Sequence, residues 1–204
     1  MKINEIFESI QGEGKYAGYP VLFIRTSGCT RKCSWCDTKY HKDGKEMSVD
    51  EVITEIEKSD KKIVVWTGGE PLMYKKEIIQ IALSGPGKYY HIETNGDLLE
   101  MDDLESFGYL QYISCSPKNL EIIKKVYNIL DNLHPSKYDI KSVIKKGFQE
   151  EFIKYSTMLM PLTEDVNGPV DKQNEKYVWN KCIETEKKFC LRQHVKVWGQ
   201  ERGK

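Results

Sequence analysis

The stretch Val21-Leu22-Phe23-Ile24-Arg25 runs into Gly28-Cys29-Thr30-Arg31-Lys32-Cys33-Ser34-Trp35-Cys36-Asp37-Thr38, so an apolar pentapeptide stands directly before a loop with three thiols spaced C-x3-C-x2-C. A short apolar run bounded by turn-forming residues reads as a β-strand. The same order recurs further on. A strand expected over 62–66 precedes Thr67-Gly68-Gly69-Glu70-Pro71, and one over 89–93 precedes Thr94-Asn95-Gly96. Working outward, helices are expected over 48–58, about 75–83, 120–130 and about 173–186, and further strands over 110–114, 139–144, 157–160 and about 189–194. For the first helix, Ser48 stands at the cap, Glu51 completes a capping box, and Val49, Val52, Ile53 and Ile56 form one apolar stripe. Strands alternating with helices imply parallel β-α units. In such folds ligands bind beyond the C-terminal ends of the strands, where all three motifs fall.

The composition sets outer bounds. The chain has 204 residues, 39% of them hydrophobic and 30% charged, which suits one globular domain over 1–204. No internal repeat or long Pro/Gly/Ser linker divides it. Thirty-one basic residues balance thirty-one acidic ones, so no global charge draws the chain to nucleic acid or to an anionic membrane. No apolar run approaches the roughly 20 residues that span a bilayer, and Met1-Lys2-Ile3-Asn4-Glu5 opens no signal-peptide core. The expected location is cytoplasmic, with no nucleic-acid or membrane partner.

Six cysteines without a secretion signal argue against a disulfide framework. Cys115, Cys182 and Cys190 are scattered and read as small hydrophobes. For Cys29, Cys33 and Cys36 three readings stand: ordinary thiols, a zinc site, or a three-thiolate iron-sulfur cluster. Zinc needs a fourth ligand, from His41, Cys115 or another distant group, since no second C-x-x-C is present. A 4Fe-4S cube held by three thiolates leaves one iron open to a non-protein ligand.

With Trp35 just before the third cysteine and Gly68-Gly69-Glu70 after the next strand, about 30 residues on, the sequence resembles the radical S-adenosylmethionine (SAM) superfamily. That resemblance implies a partial (β/α) barrel in a trimmed, mostly parallel α/β form. It also implies a 4Fe-4S cluster on Cys29, Cys33 and Cys36, with SAM on the open iron. More specific are Gln11-Gly12-Glu13-Gly14, Gly18-Tyr19-Pro20, Phe23-Ile24-Arg25 and Trp35-Cys36-Asp37-Thr38, which look like the 7-carboxy-7-deazaguanine synthases. Members of that family turn 6-carboxy-5,6,7,8-tetrahydropterin into 7-carboxy-7-deazaguanine with loss of ammonia, using Mg2+, on the route to queuosine.

The resemblance assigns residues as follows. Gln11, Gly12 and Glu13 face the ring edge of a small-molecule pterin, Arg25 pairs with the substrate carboxylate, Thr67 contacts substrate, and His194 reaches it from a tail spanning 194–204. Trp35, Asp37, Gly69, Glu70, Ser116, Pro117 and Lys118 contact SAM, with the Glu70 carboxylate accepting from its amino group. Thr38 is the magnesium ligand, and the cluster loop spans 27–46. An electron donor such as flavodoxin or ferredoxin and a homodimer are implied as partners. The chain departs from the pattern at Thr30, where asparagine is common, and at Leu159-Met160-Pro161, where Leu-Gln-Pro is usual. Two rival readings stand beside this one: a glycyl-radical activase of the anaerobic ribonucleotide reductase type, and a non-enzymatic zinc-stabilised binding module.

Overall fold

The computed structural model describes residues 1–34, 36, 38, 42–163, 171–199 and 201–203. The strands are β1 (Lys2–Ile10), β2 (Pro20–Thr26), β3 (Lys45–Glu46), β4 (Ile63–Gly68), β5 (Tyr89–Thr94), β6 (Tyr112–Cys115), β7 (Tyr138–Ile144), β8 (Met158–Pro161) and β9 (Lys188–Phe189). The helices are α1 (Val49–Lys58), α2 (Lys75–Ser84), α3 (Asp103–Ser106), α4 (Leu120–Leu130), α5 (Lys172–Thr185) and α6 (Gln193–Trp198). Together the strands form one sheet in the order β3-β1-β2-β4-β5-β6-β7-β8-β9. β1 runs antiparallel to β2 and β3, and every pairing from β2 onward is parallel. β3 and β9 do not pair, so the sheet stays open as a partial barrel. No helix among the described residues is long and apolar enough to cross a membrane.

The parallel strands are buried on both faces, and their alternation divides the residues into two sets. Leu22, Ile24, Val64, Trp66, Ile92, Ile113 and Ile140 join the main core with helix residues such as Val52, Ile56, Ile78, Ile81, Ile123 and Val126. The alternate set holds a separate small cluster of Val21, Phe23, Ile63 and Val65, with Phe7 and Tyr16 against it. A third cluster gathers Val143, Met158, Met160, Leu162 and Cys190. Between these two apolar patches the same alternation brings up Thr67, Glu93, Ser114 and Lys141, all lining one cavity.

Local chemistry explains the elements. α1 starts on the expected capping box, with Glu51 N donating to Ser48 Oγ (3.1 Å) and Ser48 N donating to Glu51 Oε2 (2.7 Å). Asn119 caps α4 by accepting from Ile122 N at 2.8 Å, and Asp171 caps α5 by accepting from Asn174 N at 2.9 Å. β1 is an addition to the sequence reading: most of its residues are only half-buried, so no period-two pattern marks it. The expected strand over 189–194 is corrected. β9 stops at Phe189, Cys190 N makes a last bond to Leu159 O (2.9 Å), and the chain then turns into α6. β8 runs on to Pro161, but the chain leaves the sheet after Cys190, where Gln193 N donates to Gly12 O (2.9 Å) as α6 begins.

Candidate functional site

A cavity of about 520 Å³ opens on the inner face of the sheet, at the C-terminal ends of the parallel strands. Its pterin-facing candidates form a connected network. Thr67 Oγ1 donates to Glu93 Oε2 (2.9 Å), and Gln11 Nε2 donates to Glu93 Oε1 (2.9 Å). Glu13 N donates to Gln11 Oε1 (3.2 Å), while the Glu13 carboxylate forms an ion pair with Lys141. Burial pushes the Lys141 ammonium down, but the charges of Glu13 and Glu93 outweigh it and hold the group above its usual range.

Arg25 sits at the rim of this network. Its Nε donates to Glu5 Oε1 at 2.7 Å, and its Nη1 donates to Thr38 Oγ1 at 3.4 Å. Glu5 is aimed by a register shift in β1 between Ile3 and Glu5. Below the cavity, and outside its lining, lies an aromatic floor: the Tyr16 ring is 4.4 Å from His91 and 5.0 Å from Tyr112. Burial, with the Lys15 charge, lowers the His91 pKa to about 4, so the floor is neutral. The roof is the turn into α6, where Gln193 N donates to Gly12 O (2.9 Å). Gly12 is required there, since an added Cβ would collide with the His194 ring.

At the other end Cys29, Cys33, Cys36 and Thr38 line the cavity with Gly68 and Gly69. The cysteine loop is tied to its neighbours. Gly69 N donates to Thr26 O (3.2 Å), Glu70 N donates to Gly28 O (2.9 Å), and Arg31 makes a two-pronged pair with Asp97. A Cβ on Gly69 would collide with the Gly28 carbonyl oxygen, so this crossing of two backbones needs glycine.

The donor set fits an iron-sulfur cluster. None of the six cysteines is in a disulfide, and Arg31 N (3.4 Å) and Asn95 Nδ2 (3.9 Å) point N–H groups at the Cys29 sulfur. Burial pushes the Cys29 thiol up, opposed by the Arg31 N–H, and metal ligation would displace its proton. Among the described residues no three His, Cys, Asp or Glu side chains converge on a single ion. A cube engages each thiolate at a different iron, so three thiols that line one cavity without meeting at a point suit it.

The structure brings together Gln11, Gly12, Glu13, Arg25, Thr67 and His194, and also Gly69, Ser116, Lys118, Cys29, Cys33, Cys36 and Thr38. Trp35, Asp37 and His41 lie outside the described residues. Pro117 and Glu70 do not line the cavity. The Glu70 side chain is fully buried and accepts from Leu72 N (2.9 Å), Thr94 Oγ1 (2.6 Å) and Asn95 N (2.7 Å). It caps the 3-10 turn Pro71–Tyr74 and joins the loops after β4 and β5, leaving the glycine backbone to face the cavity. Burial raises its pKa despite those three bonds. The sequence reading missed Glu93 and Lys141. Their only signal is a charged residue inside a run that otherwise reads as a buried strand.

Comparison with known proteins agrees with this geometry. Residues 23–166 match the Radical SAM superfamily. The chain is 34% identical over 195 residues to the 7-carboxy-7-deazaguanine synthase of Aquifex aeolicus, covering 92% of this chain and 84% of that protein. It is 37% identical over 156 residues to that of Thermoplasma acidophilum, covering 74% of each. To that of Bacteroides thetaiotaomicron it is 44% identical over 117 residues, 57% of this chain and 60% of the relative. Among solved structures, QueE from Escherichia coli shares the fold with a TM-score of 0.54 at 19% identity, covering 95% of this chain and 94% of that one. With thiol loop, glycine crossing and polar network in one cavity, the chain belongs to the 7-carboxy-7-deazaguanine synthase family of the radical SAM superfamily.

Proposed function

We propose that this chain is a radical SAM carbon-nitrogen lyase that converts 6-carboxy-5,6,7,8-tetrahydropterin to 7-carboxy-7-deazaguanine with release of ammonia, in queuosine-type 7-deazapurine biosynthesis. The observation that carries this reading is one cavity shared by the three-thiol loop and by Gln11, Gly12, Glu13, Arg25 and Thr67. The name common to the relatives favours it over the glycyl-radical activase, and the superfamily match favours it over the zinc module.

The superfamily brings a 4Fe-4S cluster and SAM. Cys29, Cys33 and Cys36 would hold the cluster, and when bound these groups supply a carbon-centred radical able to take a hydrogen atom from the pterin. The chain's own part is to hold, orient and keep water away. The Gly68–Gly69 backbone would hold the methionyl part of SAM; Trp35 and Asp37, next to the third cysteine in the sequence, would contact SAM; and Ser116 and Lys118 would hold the nucleoside. Lys118 Nζ donates to Ser116 Oγ at 2.9 Å, which fixes both.

At the substrate end Gln11, Gly12 and Glu13 offer an amide, a backbone and a carboxylate to a heterocycle with alternating donors and acceptors. The Arg25 guanidinium takes the substrate carboxylate, and His194 closes the roof. Thr38 would offer its hydroxyl to Mg2+, which would help to hold the substrate carboxylate; a hard cation that keeps several waters needs few protein oxygens. We place the reaction in the cytoplasm, with a homodimer as the assembly and a flavodoxin or ferredoxin as electron donor.

The test is anaerobic reconstitution with iron and sulfide, reduction with SAM and 6-carboxytetrahydropterin, and mass analysis. Both 5'-deoxyadenosine and 7-carboxy-7-deazaguanine are expected. Deoxyadenosine alone would overturn the substrate, and neither product, with zinc bound, would overturn the cofactor.

A further inference from the structure

Lys141 enters the cavity from the middle of β7, with a side chain only 7% exposed. An ammonium buried in a strand is costly unless an opposite charge meets it. Here Glu13 pairs with it directly, and the Glu93 carboxylate lies within electrostatic reach. Two carboxylates therefore share one cation on one buried wall. Gln11 links the two, donating to Glu93 and accepting from Glu13 N. Around the pair stand Cys190, whose thiol is pushed up by burial and whose sulfur accepts from Gly14 N, and His194 and Arg192 from the roof. Lower on β7, Asp139 is held by Tyr112, Thr157 and Lys188.

We propose that Lys141 is a positioning residue for the pterin: as the counter-ion shared by Glu13 and Glu93, it holds the Glu13 carboxylate in place against the substrate's N–H edge. The inference rests on the proposed reaction and deepens it. A pterin presents N–H donors along its pyrimidine edge, and an ionised carboxylate is acceptor-only. With the cation removed, the Glu13 carboxylate loses the ion pair that fixes its direction.

The experiment is steady-state kinetics of the reconstituted holoenzyme, with the pterin titrated at saturating SAM. Lys141→Met is expected to raise the pterin KM about ten- to hundredfold, the size of a lost charged hydrogen bond. Cluster absorbance and substrate-free SAM cleavage should match the unaltered chain, and Lys141→Arg should restore most of the affinity. Because Lys141 acts through Glu13, the double variant Glu13→Gln/Lys141→Met should be no worse than Glu13→Gln alone.

An unchanged KM in Lys141→Met, or additive losses in the double variant, overturns the assignment. Where Lys141→Met does not fold, the exchanged variant Glu13→Lys/Lys141→Glu keeps the buried pair. It is expected to fold and to lose pterin affinity, and a KM like that of the unaltered chain would overturn the proposal. Failure of the unaltered chain to form deazapurine overturns the reaction and this role together; normal turnover with a flat Lys141→Met KM overturns the role alone.

Discussion

Thr67, Glu93 and Lys141 reach the cavity from strands whose alternate residues are core, whereas Cys29, Cys33 and Cys36 reach it from a loop beyond β2. At the strand-borne end the polar groups are already bonded to one another in a chain from Thr67 to Lys141. At the loop-borne end the ties are mostly backbone crossings and the Arg31–Asp97 pair, and the thiols face open volume. The difference follows what each end must hold. A flat heterocycle is recognised by directional hydrogen bonds, which need acceptors fixed before it arrives. Metal-thiolate bonds are strong enough to order their own ligands on binding.

The largest effect should come from breaking the loop-borne end at its ligands. Cys33→Ala should remove the cluster and SAM cleavage together, read as iron content and 5'-deoxyadenosine; retained SAM cleavage would sink the three-thiolate assignment. Next is the crossing between the two ends. Gly69→Ala drives a Cβ into the Gly28 carbonyl oxygen, and should lower stability by about 1–3 kcal/mol, as overpacking does, and weaken SAM binding as well. A thermal melt with and without SAM checks both.

Breaking the strand-borne end should leave the cluster intact. Glu93→Gln turns an amide N–H2 toward the Gln11 amide or the Thr67 hydroxyl, and should cost about ten- to a hundredfold in kcat/KM. Equal loss of cluster content in that variant would erase the distinction between the ends. Thr38→Ala should spare cluster and SAM cleavage but weaken the response to Mg2+, and an unchanged Mg2+ titration removes Thr38 from the metal site. The smallest effect at neutral pH belongs to the floor. His91 is held neutral with a folded pKa of about 4, below its ordinary 6.5, so its contribution is complete above 6.5 and is lost as pH falls toward 4. That loss should be of order 3 kcal/mol. His91→Phe should flatten this part of the pH-stability curve.

Much of the strand-borne architecture is written locally. Ser48 and Glu51 announce α1 because a capping box involves residues three apart, and the apolar runs of β2, β4 and β5 announce buried strands. The three motifs fall at strand ends because the fold puts ligands there. What stayed hidden depends on contacts far apart in the chain. Lys141 meets Glu13 across 128 positions, and nothing near either residue marks the pairing. Glu70 reads as a ligand contact because its motif is read as a string. In three dimensions its carboxylate faces back into the loops it joins. The last strand reads as longer than it is because Cys190 and Leu191 continue the apolar run of Phe189, while the chain there leaves the sheet for α6.

An open sheet keeps two edges, and here each is a two-residue strand, Lys45–Glu46 on one side and Lys188–Phe189 on the other. Strand edges are where one chain can template another, and brevity and charge are the usual defences. Lys45 and Glu46 are both exposed, and Lys188 is anchored inward by its bond to Asp139. The two outermost strands therefore offer a neighbouring copy little ladder to extend, while the side of the barrel stays open for ligands.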